Sequence, residues 1–339
     1  MYVVPEHLYN SLRSSLLSLE ALPKRIAVGF SGGMDSAMLS IVATKVTYDL
    51  NISLFLFHIN HCLQDDSDSW SKNACNLASL LNTPFHEKKI HVDRKSKHGL
   101  EASARDSRYK AFDSLLDFYE IKHLLLAHHK DDQAETVLLR LLRGSGIKGM
   151  GAMRHISIKN GKSYIRPWLN ISKEMISSEM RLFSNLNSWH PINDPTNVDM
   201  STARSIIRAC LAPQLDKYWP RWRDSLCRNA YHMSSASDVL ENLAKLDFDD
   251  IKTNSSSCFS LSKWRSINST YRKIQVLRYW FLVNNLNMPT ESFINNLYRQ
   301  LSNLHALGYD RFMKLKYGAY IIVCRKGLVW VELSKLINY

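Results

Sequence analysis

At 339 residues the chain is too long for one small core, which predicts two domains. With 45% hydrophobic and 22% charged residues it reads as soluble and globular; no apolar run nears the roughly twenty residues of a membrane span, and the start, with Glu6, lacks a signal core. The formal charge of +13 divides into +5 over residues 1–210 and +8 over the shorter 211–339, a balance that favours a polyanionic partner such as nucleic acid without choosing RNA over DNA.

Residues 25–30 are an apolar run that predicts a buried strand, and residues 37–46 read as the helix after it. Between them stands Ser31-Gly32-Gly33-Met34-Asp35-Ser36. A strand, a glycine turn and a helix start in that order build an anion site. The glycines let the backbone approach a phosphate, and the first helical N–H groups point at it. Ser31 and Ser36 can add hydroxyl donors. A carboxylate there repels phosphate unless a divalent cation lies between, so Asp35 argues for a nucleotide held with magnesium. A plain helix cap would need less than this hexapeptide. No lysine follows Gly33, which excludes the Walker A loop, and the Gly-x-Gly-x-x-Gly spacing of a dinucleotide turn is absent.

Further along, residues 53–59 predict a second buried strand, 67–81 a helix with Asp66 or Ser67 as its cap, and 85–92 a third strand. A basic loop at 93–99, a helix over 101–119, a short strand at 123–127 and a helix over 131–142 follow. Strands alternating with helices imply a parallel sheet covered on both faces, with ligands at the carboxyl ends of the strands. The glycine-rich stretch 143–162 reads as a mobile connector rather than an element, and 164–168 as a short extended piece. Ser172 can cap a helix to about 185, 190–195 is a turn-rich loop, and 203–211 is helical again. Residues 220–248 predict a long joining helix. Helices over 270–284 and 290–302 precede a hairpin pairing 315–324 with 328–333 around Arg325-Lys326-Gly327.

Three clusters fall at predicted strand ends. In His128-His129-Lys130-Asp131-Asp132-Gln133-Ala134-Glu135-Thr136, Asp132 and Glu135 share a helix face and can hold magnesium or a substrate ammonium, although acids also complement a helix N-terminus. The adjacent histidines lack a third metal ligand in the sequence, which favours polar contact with the nucleotide. Glu101, Arg105, Arg108 and Tyr109 line one helical face. Its arginine forks suit phosphate or a carboxylate, against the plainer reading of a solvated face. His58-Ile59-Asn60-His61 closes the second strand. The six cysteines (Cys62, Cys75, Cys210, Cys227, Cys258, Cys324) contain no C-x-x-C and fit reduced cytosolic thiols.

Ser-Gly-Gly-x-Asp-Ser is similar to the PP-loop of the ATP pyrophosphatase superfamily, whose members cleave ATP between the α- and β-phosphates and activate an oxygen as its adenylate. The ordered set of blocks resembles one family, the tRNA(Ile)-lysidine synthetases. It comprises Ser31–Ser36, His58–His61, Ala104–Tyr109, His128–Thr136, Leu142-Arg143-Gly144-Ser145-Gly146, Arg166-Pro167 and Asp194-Pro195-Thr196-Asn197, over about residues 24–212. The resemblance implies an α/β fold: a parallel-sheet PP-loop domain (1–215), a linking helix (216–248) and a mainly helical accessory tRNA-binding domain ending in a β-hairpin (249–339).

It also implies a cytoplasmic ligase using ATP and magnesium. The enzyme would adenylate the oxygen on carbon-2 of the wobble cytidine in the CAU anticodon of isoleucine tRNA and let the ε-amine of free L-lysine attack that carbon and displace AMP. The product, lysidine, changes reading from AUG to AUA. Implied nucleotide contacts are Ser31, Gly32, Gly33, Met34, Asp35, Ser36, His58 and His128, with Asp35 as the magnesium contact. Asp132, Glu135 and Arg105 are the implied catalytic partners of Asp35. Lysine or tRNA would meet Arg105, Arg108, Asp132, Glu135, Arg204 and Arg208, with roles that could be exchanged among them. No membrane partner is expected, and a homodimer stays an open option.

The pattern departs at Cys62-Leu63-Gln64, where the family has Gly-Leu-Arg, and at Arg204-Ser205, where it has Arg-Asn. Longer members continue into another C-terminal module. The alternatives are a PP-loop tRNA thiolation enzyme, which usually needs a cysteine pair or iron–sulfur ligands, a non-catalytic tRNA-binding protein, and an amide-forming ATP pyrophosphatase.

Overall fold

The computed structural model describes residues 2–62, 66–90, 100–192, 202–255, 257–304 and 312–334, and divides into units Met1–Ser234 and Ser235–Tyr339. In chain order the first unit carries α1 (Glu6–Leu17), β1 (Arg25–Gly29), α2 (Met34–Asp49), β2 (Ser53–Asn60), α3 (Ser67–Leu80), β3 (Phe85–Lys89) and α4 (Leu100–Phe118). Next come β4 (His123–Leu125), α5 (Lys130–Leu142), α6 (Ile147–Met150), β5 (Ile156–Lys159), β6 (Lys162–Ile165) and α7 (Lys173–Asn187). The unit closes with α8 (Ala203–Ile206), a π-helical turn (Ile207–Leu211), α9 (Ala212–Tyr218) and the first part of α10 (Trp222–Ile251).

Its sheet runs β3-β2-β1-β4-β6-β5, parallel throughout except for the antiparallel edge strand β5. Side chains of a strand alternate between the two faces. Ile26, Val28, Leu54, Leu56 and Leu125 therefore enter one core with α1, α2, α3 and α7. Ala27, Phe57, Ile59, Leu124, Leu126 and Tyr164 enter another with Ala111, Phe112 and Leu116 of α4. α2 is buried almost all round, from Ser36 to Ala43, because α1 and α7 pack on it as well as the sheet, and its sequence lacks the polar stripe of a surface helix. α4 is tied to the sheet by Lys162 Nζ, 2.7 Å from Asp117, and by the Tyr164 hydroxyl donating to Asp113.

The stretch read as a mobile connector contains two elements, α6 and β5, and this corrects the expectation. Asn160 (φ 51°) and Gly161 (φ 72°) turn β5 back onto β6, and an Asn-Gly turn with both residues in the left-handed region matches the twist of the paired strands. Gln133 of α5 pins the rest: its amide bonds both the carbonyl and the N–H of Met153 at 2.9 Å. Arg140 bonds the carbonyls of Gly149 and Ala152. The predicted loop at 93–99 lies outside the described residues.

In the second unit the end of α10 is followed by β7 (Phe259–Ser260), α11 (Leu261–Ser266), α12 (Thr270–Val283), α13 (Glu291–Asn303), β8 (Met313–Tyr317), β9 (Tyr320–Arg325) and β10 (Leu328–Leu333). The expected hairpin is β9–β10, inside a four-stranded antiparallel sheet ordered β7-β10-β9-β8. The single strand expected over 315–324 is two strands broken at Gly318. Trp264, Trp280, Phe259 and Phe281 fill this unit's core, and Arg272 pairs with the Asp247 carboxylate at 3.0 Å through Nε. No described helix is long and apolar enough to cross a membrane.

Candidate active site

The chain leaves β1 through Phe30 and turns at Ser31-Gly32-Gly33 into α2, whose N-cap is Gly33. The turn is braced from within. Ser36 Oγ accepts the Ser31 N–H at 3.1 Å, lies 2.9 Å from Ser31 Oγ and donates to the Gly33 carbonyl at 3.0 Å. Ser36 is thus a buried strut, while Ser31 is exposed at the rim. Gly32 adopts φ +83°, which only glycine takes without strain, and its carbonyl accepts the Ile192 N–H at 3.0 Å. His58, at the end of β2, is buried with Nδ1 2.9 Å from the Phe30 carbonyl, so it holds the residue from which the turn springs. Met34 lines a cavity of about 170 Å³ with Met180 and Arg181 of α7 and His190.

Asp35 sits in the first turn of α2. Its Oδ1 is buried with no hydrogen-bond partner among the described residues, and its Oδ2 lies 3.6 Å from His129 Nε2. A buried carboxylate oxygen left unpaired is costly and suits a cation. Magnesium typically takes one or two carboxylates and completes its octahedron with water and phosphate oxygens. The turn therefore fits it, although no group of three acidic, histidine or cysteine side chains forms a metal cage among the described residues.

His129 is the N-cap of α5 and its side chain is almost fully buried. In a reciprocal capping box, its Nδ1 accepts the Asp132 N–H at 3.4 Å and its own N–H donates to Asp132 Oδ2 at 3.2 Å. The opposite nitrogen, Nε2, lies 3.4 Å from Asp132 Oδ2 as well as facing Asp35. A proton on Nε2 satisfies both sides of the ring. Burial works to lower the His129 pKa, but the carboxylates of Asp35, Asp132 and Asp131 outweigh it and hold the pKa above the ordinary histidine value.

Glu135, one turn on, is 5% exposed and carries two arginines from the distant α8 segment. Arg208, on the π-helical turn, grips it bidentately at 2.7 and 2.9 Å and reaches Asp132 Oδ1 at 3.1 Å. Arg204 Nε lies 3.4 Å from Glu135, and its Nη2 donates to Thr136 at 2.9 Å. Asp131 is committed elsewhere: it accepts the Lys173 N–H at 2.9 Å and pairs with Arg223 at 2.6 Å.

The α4 arginines stand across the strand ends. Arg105 is exposed over the Tyr109 ring at 5.2 Å. Burial pushes His61 down to about 4, assisted by the charge of Arg108. Burial likewise pushes His128 down to about 3, against the pull of Asp132 and with help from Arg166, Arg105 and Arg108. Both rings are neutral at pH 7, and each leaves a buried Nδ1 without a partner among the described residues. Structure thus joins Asp35, Asp132, Glu135, Arg204 and Arg208 in one network and sets Arg105, Arg108 and His128 on its flank. His58 sits behind the turn. The sequence offered His129 only as a polar contact of the nucleotide and missed its part as the link between Asp35 and Asp132, although an N-cap histidine three residues before an aspartate was a readable signal.

Comparison with known proteins places these residues in context. Residues 7–215 match a family described as a PP-loop domain. The tRNA(Ile)-lysidine synthase of Bordetella parapertussis is 39% identical over 329 residues, covering 97% of this chain and 95% of the relative. That of Bordetella pertussis is 39% identical over 322 residues, covering 95% of this chain and all of the relative. The synthase of Nitrosomonas europaea is 30% identical over 309 residues, 90% of this chain but 64% of that longer protein. Among solved structures, the U34-tRNA thiolase NcsA of Methanococcus maripaludis superposes with a TM-score of 0.56 at 17% identity, over 68% of this chain and 78% of that one, a likeness of fold alone.

Proposed function

The chain belongs to the tRNA(Ile)-lysidine synthase family, and from that premise we propose that it ligates free L-lysine to carbon-2 of the wobble cytidine in the CAU anticodon of isoleucine tRNA, consuming ATP and releasing AMP and pyrophosphate. The supporting observation is the network running from the unpaired Asp35 oxygen through His129 to Asp132 and Glu135, at the C-terminal ends of β1 and β4. It brings carboxylates able to meet an amine beside an anion-binding turn.

The roles follow from that arrangement. The Gly32 amide and the first turn of α2 hold the phosphates, and Ser31, Met34 and Ser36 shape the turn. Asp35 is the residue that would hold magnesium, which supplies charge neutralisation for the departing pyrophosphate. Asp132 and Glu135 receive the lysine ammonium. Attack on the activated base requires a neutral amine, so one of the two takes its proton. Arg204 and Arg208 orient the two carboxylates, while Arg105 and Arg108 face the lysine carboxylate or an RNA phosphate. His58 braces the turn from behind through the Phe30 carbonyl, and His128 lies beside the nucleotide as a neutral polar group. Residues 1–215 are the catalytic domain, 216–248 the link, most of it the helix α10 that begins at Trp222, and 249–339 an accessory tRNA-binding domain, all in the cytoplasm.

The test is direct. Purified protein is incubated with ATP, magnesium, lysine and isoleucine tRNA bearing CAU, and the RNA is digested for nucleoside analysis. Lysidine at the wobble position is expected. Unchanged cytidine, or incorporation of sulfur in place of lysine, would overturn the assignment.

A further inference from the structure

Close to the carboxylate network the first unit presents an apolar groove of about 600 Å³ that no step above employs. Its floor is Leu138 of α5 with Leu215, Trp222 and Leu226, and its rim is Tyr218, Trp219, Pro220 and Arg221 at the joint of α9 and α10. Trp219 is 64% exposed and Tyr218 60%, their ring centroids 6.0 Å apart at 61°. Two large aromatics left in water at one joint cost burial that a sequence otherwise rich in polar side chains could have avoided.

The charges around the rings fix the class of occupant. Asp216 and Asp224, the acids beside the joint, are already engaged with Arg223 and with Lys130 (2.7 Å). Lys217, Arg221 and Arg228 are exposed, and no ion pair to a carboxylate is found for them among the described residues. Lys217 Nζ lies 5.1 Å from the Tyr218 ring. Exposed cations around exposed aromatic faces are the composition of a single-stranded nucleic-acid platform, in which bases stack and phosphates meet the cations. The groove and the site also share helix α5. Leu138 follows Glu135 by one helical turn, so its Cα lies only about 5 Å further along the axis, and the segment ending in Trp219 begins with Arg204 and Arg208.

We propose that Trp219, with Tyr218 beside it, is a stacking platform for an unpaired anticodon-loop nucleotide flanking the base in the active site, with Lys217 and Arg221 on its phosphates. The proposal rests on the tRNA-lysidine reading and adds a binding surface in the first unit, separate from the basic accessory domain.

Fluorescence anisotropy of a labelled anticodon stem-loop tests it. Trp219→Ala is expected to weaken binding by about 5- to 100-fold, the range for one stacked base, and Trp219→Phe to restore most of it. The slope of log affinity against log salt should be unchanged in Trp219→Ala but about one unit shallower in Lys217→Ala or Arg221→Ala. Should the alanine variant fold poorly, Trp219→Phe supplies an independent readout: it should lose part of the tryptophan quench that RNA produces in the wild-type chain. Lysidine formation by the wild-type preparation is measured alongside. Its absence would sink the assigned reaction, whereas intact lysidine formation with wild-type affinity in Trp219→Ala, or with no quench assignable to Trp219, would overturn the platform alone. A dimer in sedimentation that Trp219→Ala dissolves would also overturn it, by giving the groove to a second copy of the chain.

Discussion

Gly32 concentrates several demands in one residue. Its φ of +83° excludes a side chain on conformational grounds, and an added Cβ would stand 2.4 Å from Cδ1 of Ile192. The Ile192 side chain could swing aside, but the backbone strain would remain. Gly32→Ala is therefore expected to lower stability by about 1–3 kcal/mol and to weaken ATP binding, read by urea unfolding and calorimetry. At Asp35 the consequence is chemical. Asp35→Ala should abolish tRNA-dependent ATP–pyrophosphate exchange while leaving tRNA affinity nearly intact, and surviving exchange would remove the magnesium role. Glu135→Ala should raise the lysine requirement or stop transfer after activation; a normal lysine dependence in steady-state kinetics would reject that role. His61 makes a pH prediction. Because burial holds its pKa near 4, against an ordinary 6.5, the fold keeps it neutral while the unfolded chain takes a proton. Its contribution is constant above pH 6.5 and is lost as pH falls from there towards 4. Urea midpoints of His61→Gln should fall less steeply than those of the wild type across that window.

Elements differed in how plainly the sequence declared them. α7 begins where Ser172 accepts the Met175 N–H, and α13 where Thr290 accepts that of Phe293, so each helix start is written in its cap. β1 and β2 were legible as continuous apolar runs because the sheet is covered on both faces. β5 was not, since glycines on either side of it masked the Asn160-Gly161 turn that pairs it with β6. At Gly161 the φ is +72° and nothing lies within 4 Å of an added Cβ, so Gly161→Ala should cost only the conformational penalty, about 1–2 kcal/mol in thermal unfolding, with lysidine formation retained. The π-helical turn at Ile207–Leu211 was also illegible. Such turns often mark functional sites, and this one carries the arginine that grips Glu135.

For the whole molecule the charge of +13 sets how it meets RNA. Affinity for isoleucine tRNA should fall steeply with salt as phosphate contacts release counterions, and a flat response would remove the basic surface from the interface. The candidate site itself was partly legible. Its hexapeptide and acidic helix start were readable as blocks, each because neighbouring residues share one turn or one helix face. How the blocks meet was not: Arg208 lies 73 residues from Glu135, and His129 reaches Asp35 across the sheet.

Local sequence by itself determined the strand-turn-helix order, the helix starts, the anion-binding turn and the basic charge, because these depend on hydrophobic period, capping chemistry and glycine within a few residues of each other. Tertiary structure alone decided that His129 bridges Asp35 to Asp132, that two arginines converge on Glu135, and that Trp219 stays in water. Those outcomes depend on which sheet edges and helix faces pack together, and on which carboxylates are buried deeply enough to need a partner.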